Sequence, residues 1–295
     1  MHILITGATG FIGTALCTRL LTSGHTLTAL TRDPARAAAR LPGVRAIATL
    51  DDARDVEAVV NLAGEPLADG RWNTVRKHAF RDSRLGTTQQ LVAWMARQPV
   101  RPRVLVSGSA IGYYGPRDDT ALDESAPPGD DFAAQLCRDW ETEAMQAETL
   151  DVRTCRVRIG IVLGTQGGAL AKMLPPFRLG AGGPMGDGRQ WMSWIHRDDL
   201  VRLIQWLLER DQAGGAYNGT APTPVTNRAF ATALGAALHR PALLPTPAIA
   251  LKLAFGEMAQ LLLTGQRVLP AHALAEGFTF QFPTLDTALA DLLRD

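Results

Sequence analysis

Two hydrophobic periods alternate along this chain. His2 to Thr6 is a short apolar run of strand type, and Gly7-Ala-Thr-Gly10-Phe-Ile-Gly13 follows without a gap. Leu16, Leu20 and Leu21 then recur at helical spacing. Ser23-Gly24-His25 ends that helix, and Thr26 to Leu30 reads as a second strand. Val44 to Ala48 is a weak third strand and Val56 to Leu62 a strong fourth. After a loop from Pro66 to Trp72, a long helix is expected from Asn73 to Arg97. Arg103 to Ser107 is the fifth strand, Phe132 to Thr149 a helix, and Asp151 to Arg158 the sixth strand, running on to Gly164. This alternation predicts an α/β protein of Rossmann type, with a doubly wound parallel sheet.

The texture changes at Gly164. Residues 164–190 are dense in glycine, with a short helix from Leu170 to Phe177, and suggest a flexible cover over a pocket. Trp191 and Trp194 serve either the core or a ligand. Asp198 or Asp199 is the expected N-cap of a helix over 200–211, and Gly214 to Asn218 is a short strand. Helices are expected at 227–238, 248–263 and 284–294, and Phe278-Thr-Phe280-Gln-Phe282 alternates like a strand edge. The expected domains are 1–222, carrying the glycine-rich cover, and a smaller, mostly helical unit over 223–295.

Composition narrows the classes. Apolar residues make up 46% of the 295, enough for a full core, and no segment has the ~18 consecutive apolar residues of a membrane span. The formal net charge of +1, with no long run of like charge, argues against a nucleic-acid or membrane surface as the main partner. Cys17, Cys137 and Cys155 show no CxxC spacing and read as buried free thiols, and no His/Cys cluster has metal-ligand spacing. A chain opening on a strand leaves no room for a signal peptide, so a reducing cytoplasm is expected. The partner expected is a small-molecule substrate, with a homodimer left open.

The glycines carry the first chemistry. Strand, glycine turn, helix, strand is a βαβ unit, and its turn is where a dinucleotide binds. Gly7 lets the chain leave the strand sharply, Gly10 lets a pyrophosphate approach the backbone, and Gly13 lets helix and strand pack closely. The N–H groups at the helix start face the phosphates. The second strand ends in Thr31-Arg32, where an NAD-preferring protein has a carboxylate for the ribose 2′-hydroxyl. A cation suits a 2′-phosphate, so NADP(H) is favoured. Asp33 beside it reads as the cap of a helix beginning near Pro34. Asn61-Leu62-Ala63-Gly64 ends the fourth strand in small residues that leave room for the cofactor. Lys77 and Arg84 are phosphate or substrate candidates on the following helix. The fifth strand runs into Ser107-Gly-Ser109-Ala-Ile-Gly-Tyr113-Tyr114-Gly115, whose hydroxyls suit a substrate carbonyl or hydroxyl.

These stretches resemble the extended short-chain dehydrogenase/reductase superfamily, of the NAD(P)-dependent epimerase/dehydratase type. The shared residues are ITGATGFIG (Ile5 to Gly13), NLAG (Asn61 to Gly64), SGSAIGYYG (Ser107 to Gly115) and IHRDDL (Ile195 to Leu200). RWNTVRKHAFRDSR (Arg71 to Arg84), the stretch Gly167 to Asp199, and GEMAQLLLTGQRVLP (Gly256 to Pro270) look like an atypical branch. Its members are called epimerase family proteins, some with a cell-division-inhibitor label, and they carry an extra C-terminal domain. The resemblance implies a phosphate loop of Gly7, Thr9, Gly10, Phe11, Ile12 and Gly13 and a 2′-phosphate site at Thr31 and Arg32. It also implies cofactor contacts from Leu62, Ala63, Gly64, Arg84, Ser107, Ile159 and Gly160. Ser109 matches the catalytic serine.

One departure matters. The superfamily's acid/base pair is Tyr-x-x-x-Lys on the helix after strand five, where the lysine eases proton exchange by the phenol. The helix here, from Phe132 to Glu141, contains neither residue, and no Tyr-x-x-x-Lys occurs in the chain. Two readings follow. One is an NADP(H)-dependent oxidoreductase or epimerase acting on a small carbonyl or hydroxyl compound, sugar-nucleotide-like substrates included. In it Tyr113 or Tyr114 supplies the phenol, Ser109 orients the substrate, and Lys77 or Arg84 supplies positive charge. The other is a non-catalytic NADP(H)-binding redox sensor or scaffold.

Overall fold

The computed structural model describes residues 1–294. Seven parallel strands form the central sheet: β1 (His2–Thr6), β2 (Thr26–Leu30), β3 (Val44–Ile47), β4 (Ala58–Asn61), β5 (Val104–Ala110), β6 (Arg153–Ile159) and β7 (Gly215–Gly219). Their order is β3-β2-β1-β4-β5-β6-β7, in which the chain winds outward from β1 in both directions. This is the doubly wound arrangement, with β1 and β4 at the switch point where ligands bind. The central strands are buried on both faces, as their unbroken apolar runs require.

Helices α1 (Phe11–Thr22) and α7 (Arg197–Glu209) pack together on one face of the sheet. Helices α4 (Thr87–Ala96) and α5 (Phe132–Met145) cover the other. Helix α2 (Pro34–Arg40) begins as expected, because the Asp33 carboxylate accepts from Arg36 N–H at 3.0 Å. The long helix expected from Asn73 to Arg97 is divided. Helix α3 (Thr74–Arg81) passes through a π-helical turn at Asp82–Gly86 before α4 begins. Such turns re-aim side chains and recur at functional sites.

The cover over 164–190 is packed, not loose. Leu170, Leu174 and Phe177 of α6 (Gly168–Arg178) share a buried cluster with Met192, Trp194, Phe230, Leu234, Leu285 and Leu289. This cluster holds α8 (Asn227–Ala237) and the last helix, Leu285–Leu292, so the smaller unit is assembled from both sides of the expected boundary at 222. The glycines at its root have a packing role. A Cβ on Gly164, Gly167 or Gly168 would come within 3.0 Å of the Phe11 ring. Trp194 is core, with its indole N–H donating to Thr223 O.

Three expectations in this region need correction. The cap of α7 is the His196 imidazole, whose Nδ1 accepts from Asp198 N–H at 3.1 Å. Asp199 is buried instead, and its carboxylate accepts from the backbone N–H groups of Gln281 and Phe282, both at 2.8 Å. That carboxylate takes the donors a strand partner would need, so 278–282 forms no strand, and Phe278 and Phe280 pack into the main core. The helix expected over 248–263 breaks at Gly256, where φ is +59°. It leaves α9 (Ala248–Phe255), a 3₁₀ turn and α10 (Gln260–Leu263). Arg71 seals the break by donating to the carbonyls of Leu253 and Ala254. The cysteines are free and buried, and burial pushes the Cys17 and Cys155 thiols up to about 11.

His196 is also buried, stacked on Phe282 at 3.9 Å. Burial lowers its pKa, while Asp198, Asp291 and Asp199 act in the opposite direction. A base with a lowered folded-state pKa takes up its proton more readily in the unfolded chain, so stability falls as pH drops through about 6.5. His196→Asn keeps an acceptor for the α7 cap and removes the titration. It is expected to flatten the acid side of a plot of denaturation midpoint against pH. An unchanged slope would assign that dependence to other groups.

Candidate functional site

The carboxyl ends of β1, β4, β5 and β6 meet at one edge, and the first loop lies between them. Gly7 has φ +70°, and a Cβ there would come within 2.5 Å of Leu62 O. A Cβ on Gly13 would lie 2.2 Å from Gly7 O. The loop therefore touches both α1 and the turn after β4, with no room for a side chain between. Beneath it, Thr6 Oγ1 donates to Asn61 Oδ1 at 2.7 Å, Asn61 Nδ2 donates to Thr88 Oγ1, and Ala63 N–H donates back to Thr6 Oγ1. These buried bonds fix the NLAG turn against the glycine loop.

Two cations stand where a dinucleotide's phosphates would be expected. Arg32 is exposed beyond β2 and makes no hydrogen bond or ion pair among the described residues. Thr31 is half-buried beside it. The π-helical turn brings Arg84 over the NLAG turn. A Cβ on Gly64 would lie 3.0 Å from the Arg84 guanidinium carbon. Arg84 also lies 5.3 Å over the Trp140 ring and donates one bond, from Nη1 to Phe80 O. Burial lowers its pKa, with nearby Cys137 and Glu65 acting the other way. The side-chain-free cradle of Gly7, Gly10 and Gly13, the uncommitted Arg32 and the donors left on Arg84 fit an anionic dinucleotide.

Ser109 lies on β5, two residues beyond the last pair with β4 (Asn61–Ser107), opposite Arg158 of β6. Its Oγ donates to Glu141 Oε1 at 2.7 Å. Glu141, on α5, is buried and also accepts from Arg158 Nε at 2.8 Å and Nη2 at 3.0 Å. Arg158 Nη1 donates to the Tyr114 hydroxyl, which donates to Asn218 Oδ1 at 2.7 Å. Burial alone would lower the Arg158 pKa, but Glu141 and Tyr114 more than offset it, and the net direction is upward. The Tyr114 phenol is fully buried and pushed up to about 12, chiefly by burial and against the pull of Arg158. Tyr114 is thereby removed from the candidate proton donors.

Tyr113 is placed differently. It is half-buried, its ring lies 3.5 Å from the Arg158 guanidinium carbon, and its hydroxyl has no protein partner among the described residues. Lys77 is paired with Glu257 at 2.6 Å and set over the Phe132 ring. Ser107 is fully buried, with its Oγ donating to Gly108 O. Ile159 ends β6 and Gly160 follows it, where a Cβ would meet Ser193 O. Where a Tyr-x-x-x-Lys pair would face the β5 loop, α5 presents Ala133 and Cys137, both within contact of a Cβ on Gly112. Burial pushes the Cys137 thiol up to about 12, and Glu141 adds to the effect.

Glu141, Arg158 and Asn218 belong to this network and were not among the residues singled out from the sequence. A signal existed: Glu141 follows Ala133 and Cys137 at four-residue steps, and a charge on that apolar face requires a buried partner.

Comparison with known proteins agrees with this geometry. The model of the NAD dependent epimerase/dehydratase family matches residues 3–218, and a domain of unknown function (DUF1731) matches residues 246–292. An Arabidopsis thaliana chloroplastic homolog of epimerase family protein SDR39U1 is 43% identical over all of this chain and 87% of its own length. Bacillus subtilis epimerase family protein YfhF is 35% identical over 100% of this chain and 99% of its own. A crystal structure of human epimerase family protein SDR39U1 (isoform 2) with NADPH superposes with a TM-score of 0.90, at 39% identity and 99% coverage of both chains. With matches spanning its full length, this chain belongs to the NAD dependent epimerase/dehydratase family and carries a DUF1731 domain at its C-terminal end.

Proposed function

We propose that the protein binds NADP(H) along the carboxyl edge of the sheet and acts on a small carbonyl or hydroxyl compound as an oxidoreductase or epimerase with a non-standard proton-transfer site. The human relative solved with NADPH supports the cofactor. Arg32 supports the 2′-phosphate preference, because its charge has no protein partner among the described residues to satisfy it. Gly7, Gly10 and Gly13 would hold the pyrophosphate against the start of α1, and Arg84 would donate from above the NLAG turn. The cofactor, when bound, supplies or accepts a hydride.

The observation that carries the enzyme reading is the buried Ser109–Glu141–Arg158 chain. Desolvating an ion pair is costly, and a module that only holds a dinucleotide does not require one beneath a serine hydroxyl. The direction of the Ser109 bond has a chemical meaning. Its proton is committed to Glu141, so its oxygen offers lone pairs and accepts from a substrate hydroxyl. Tyr113 is the phenol left to exchange a proton. A second reading, an NADP(H)-binding sensor or scaffold without turnover, draws on Ala133 and Cys137, which put neither phenol nor ammonium beside the β5 loop.

The test is titration with NADPH and NADH by nicotinamide fluorescence, followed by the same signal's decay against carbonyl compounds and its growth from NADP⁺ with alcohols. NADPH binding with turnover establishes the enzyme, binding without turnover supports the sensor, and no binding overturns the cofactor assignment. Arg32→Ala is expected to weaken NADPH roughly tenfold to a hundredfold and to leave NADH unaffected. Equal loss for both would remove Arg32 from the 2′-phosphate site. Tyr113→Phe is expected to keep NADPH affinity and to lower turnover about a hundredfold or more. If affinity falls instead, the phenol belongs to the binding cradle.

A further inference from the structure

We propose that the face formed by the end of α6, residues 239–247 and α9 docks on an anionic lipid surface. Of α9, only Leu251 is buried. Ile249 and Leu253, one turn apart, are 70% and 71% exposed, and Leu179 and Leu243 are 84% and 81% exposed. Leu244 is also exposed. Hydrogen bonds join the segments that carry Leu179, Leu243 and Leu244. Leu244 N–H donates to Gly182 O, Thr246 N–H to Pro184 O at 2.8 Å, and Gly186 N–H to Thr246 O at 2.9 Å. Arg240 Nε donates to Arg178 O at 3.1 Å. The segment after α8 thus runs alongside the segment after α6. Ala248 and Lys252 of α9, with Gly256 just beyond it, line a cleft of about 800 Å³ with Met185, Gln190 and Leu263. Ile249 and Leu253 remain on the solvent side.

The stretches of chain that build this face carry no carboxylate. No Asp or Glu occurs between Asp151 and Asp187, or between Asp211 and Glu257. The exposed cations Arg178, Arg240 and Lys252, together with His239, lie in those stretches. The carboxylates that line the cleft are Glu257, paired with Lys77, and Asp187, which accepts a backbone bond from Arg189 N–H and has no ion-pair partner among the described residues. A two-fold contact with a second copy would set these cations against themselves without carboxylates between them. An anionic bilayer surface satisfies both features. Protruding leucine and isoleucine side chains enter the boundary between headgroups and acyl chains, while the cations meet lipid phosphates. No helix among the described residues is long and apolar enough to cross a membrane, so the contact is peripheral. The net charge of +1 averages over this local imbalance.

The experiment is co-sedimentation of the full chain with vesicles of phosphatidylcholine alone and of phosphatidylcholine mixed equally with phosphatidylglycerol, at low and high salt. Binding is expected to the mixed vesicles and to weaken with salt. The double variant Ile249→Glu, Leu253→Glu changes two exposed positions and is expected to lower vesicle affinity by at least about tenfold. Its circular dichroism and melting temperature should match the wild type. Failure to sediment with either vesicle, equal binding to neutral lipid, or undiminished binding by the variant would overturn the proposal. Light scattering that finds a dimer, dissociated by the same variant and indifferent to vesicles, would assign the face to a second copy instead.

Discussion

A carboxylate and a guanidinium removed from water hold the working edge of this protein together. Glu141 reaches from α5 and Arg158 from β6, and their bonds extend to Ser109 on β5, Tyr114 beyond it and Asn218 on β7. Three adjacent strands and a helix are thereby fixed at their carboxyl ends, where strands of an open sheet otherwise diverge into independent loops. Losing either partner of such a pair costs about 3–5 kcal/mol, a large share of an ordinary folding free energy. The same bonds orient Ser109 and seat Tyr113 on the guanidinium face. Stability and the geometry of the candidate site rest on one interaction.

The fold was readable because its signals are local. Apolar runs broken by glycine and proline place the central strands, and the first βα turn announces its own geometry through glycines that leave no space for side chains. The Asp33 cap was legible for the same reason, since acceptor and donor lie three residues apart. The π-helical turn was not. Asp82 to Gly86 keeps helical periodicity, and no residue there marks the extra residue that the backbone takes into the turn. The strand expected at 278–282 failed on a long-range cause. Asp199, far away in sequence, takes the backbone donors that a sheet neighbour would have needed.

The candidate site was legible in part. Ser109, Arg32 and the NLAG turn stand at the edge the sequence assigned to them. Tyr113 and Tyr114 are adjacent in sequence and opposite in environment, and periodicity cannot separate them: a 3₁₀ turn sends one phenol inward and leaves the other half-buried. The role of Glu141 depends on Arg158, 17 residues away, and such pairings appear only when helix and strand are brought together. Lys77 illustrates the reverse case, a cation close in sequence to the site whose charge is taken up by Glu257 on the C-terminal unit.

The three glycines around Phe11 invert the usual meaning of a glycine-rich stretch. Gly164, Gly167 and Gly168 form a socket for an aromatic ring, and that ring sits at the first turn of α1. Their backbone freedom is sterically occupied, so this root cannot serve as a hinge without withdrawing Phe11. The root of the smaller unit and the first residue of α1 therefore share one packing contact. The socket works as a fastening, in which one ring ties the glycine-rich segment to the helix that follows the first strand.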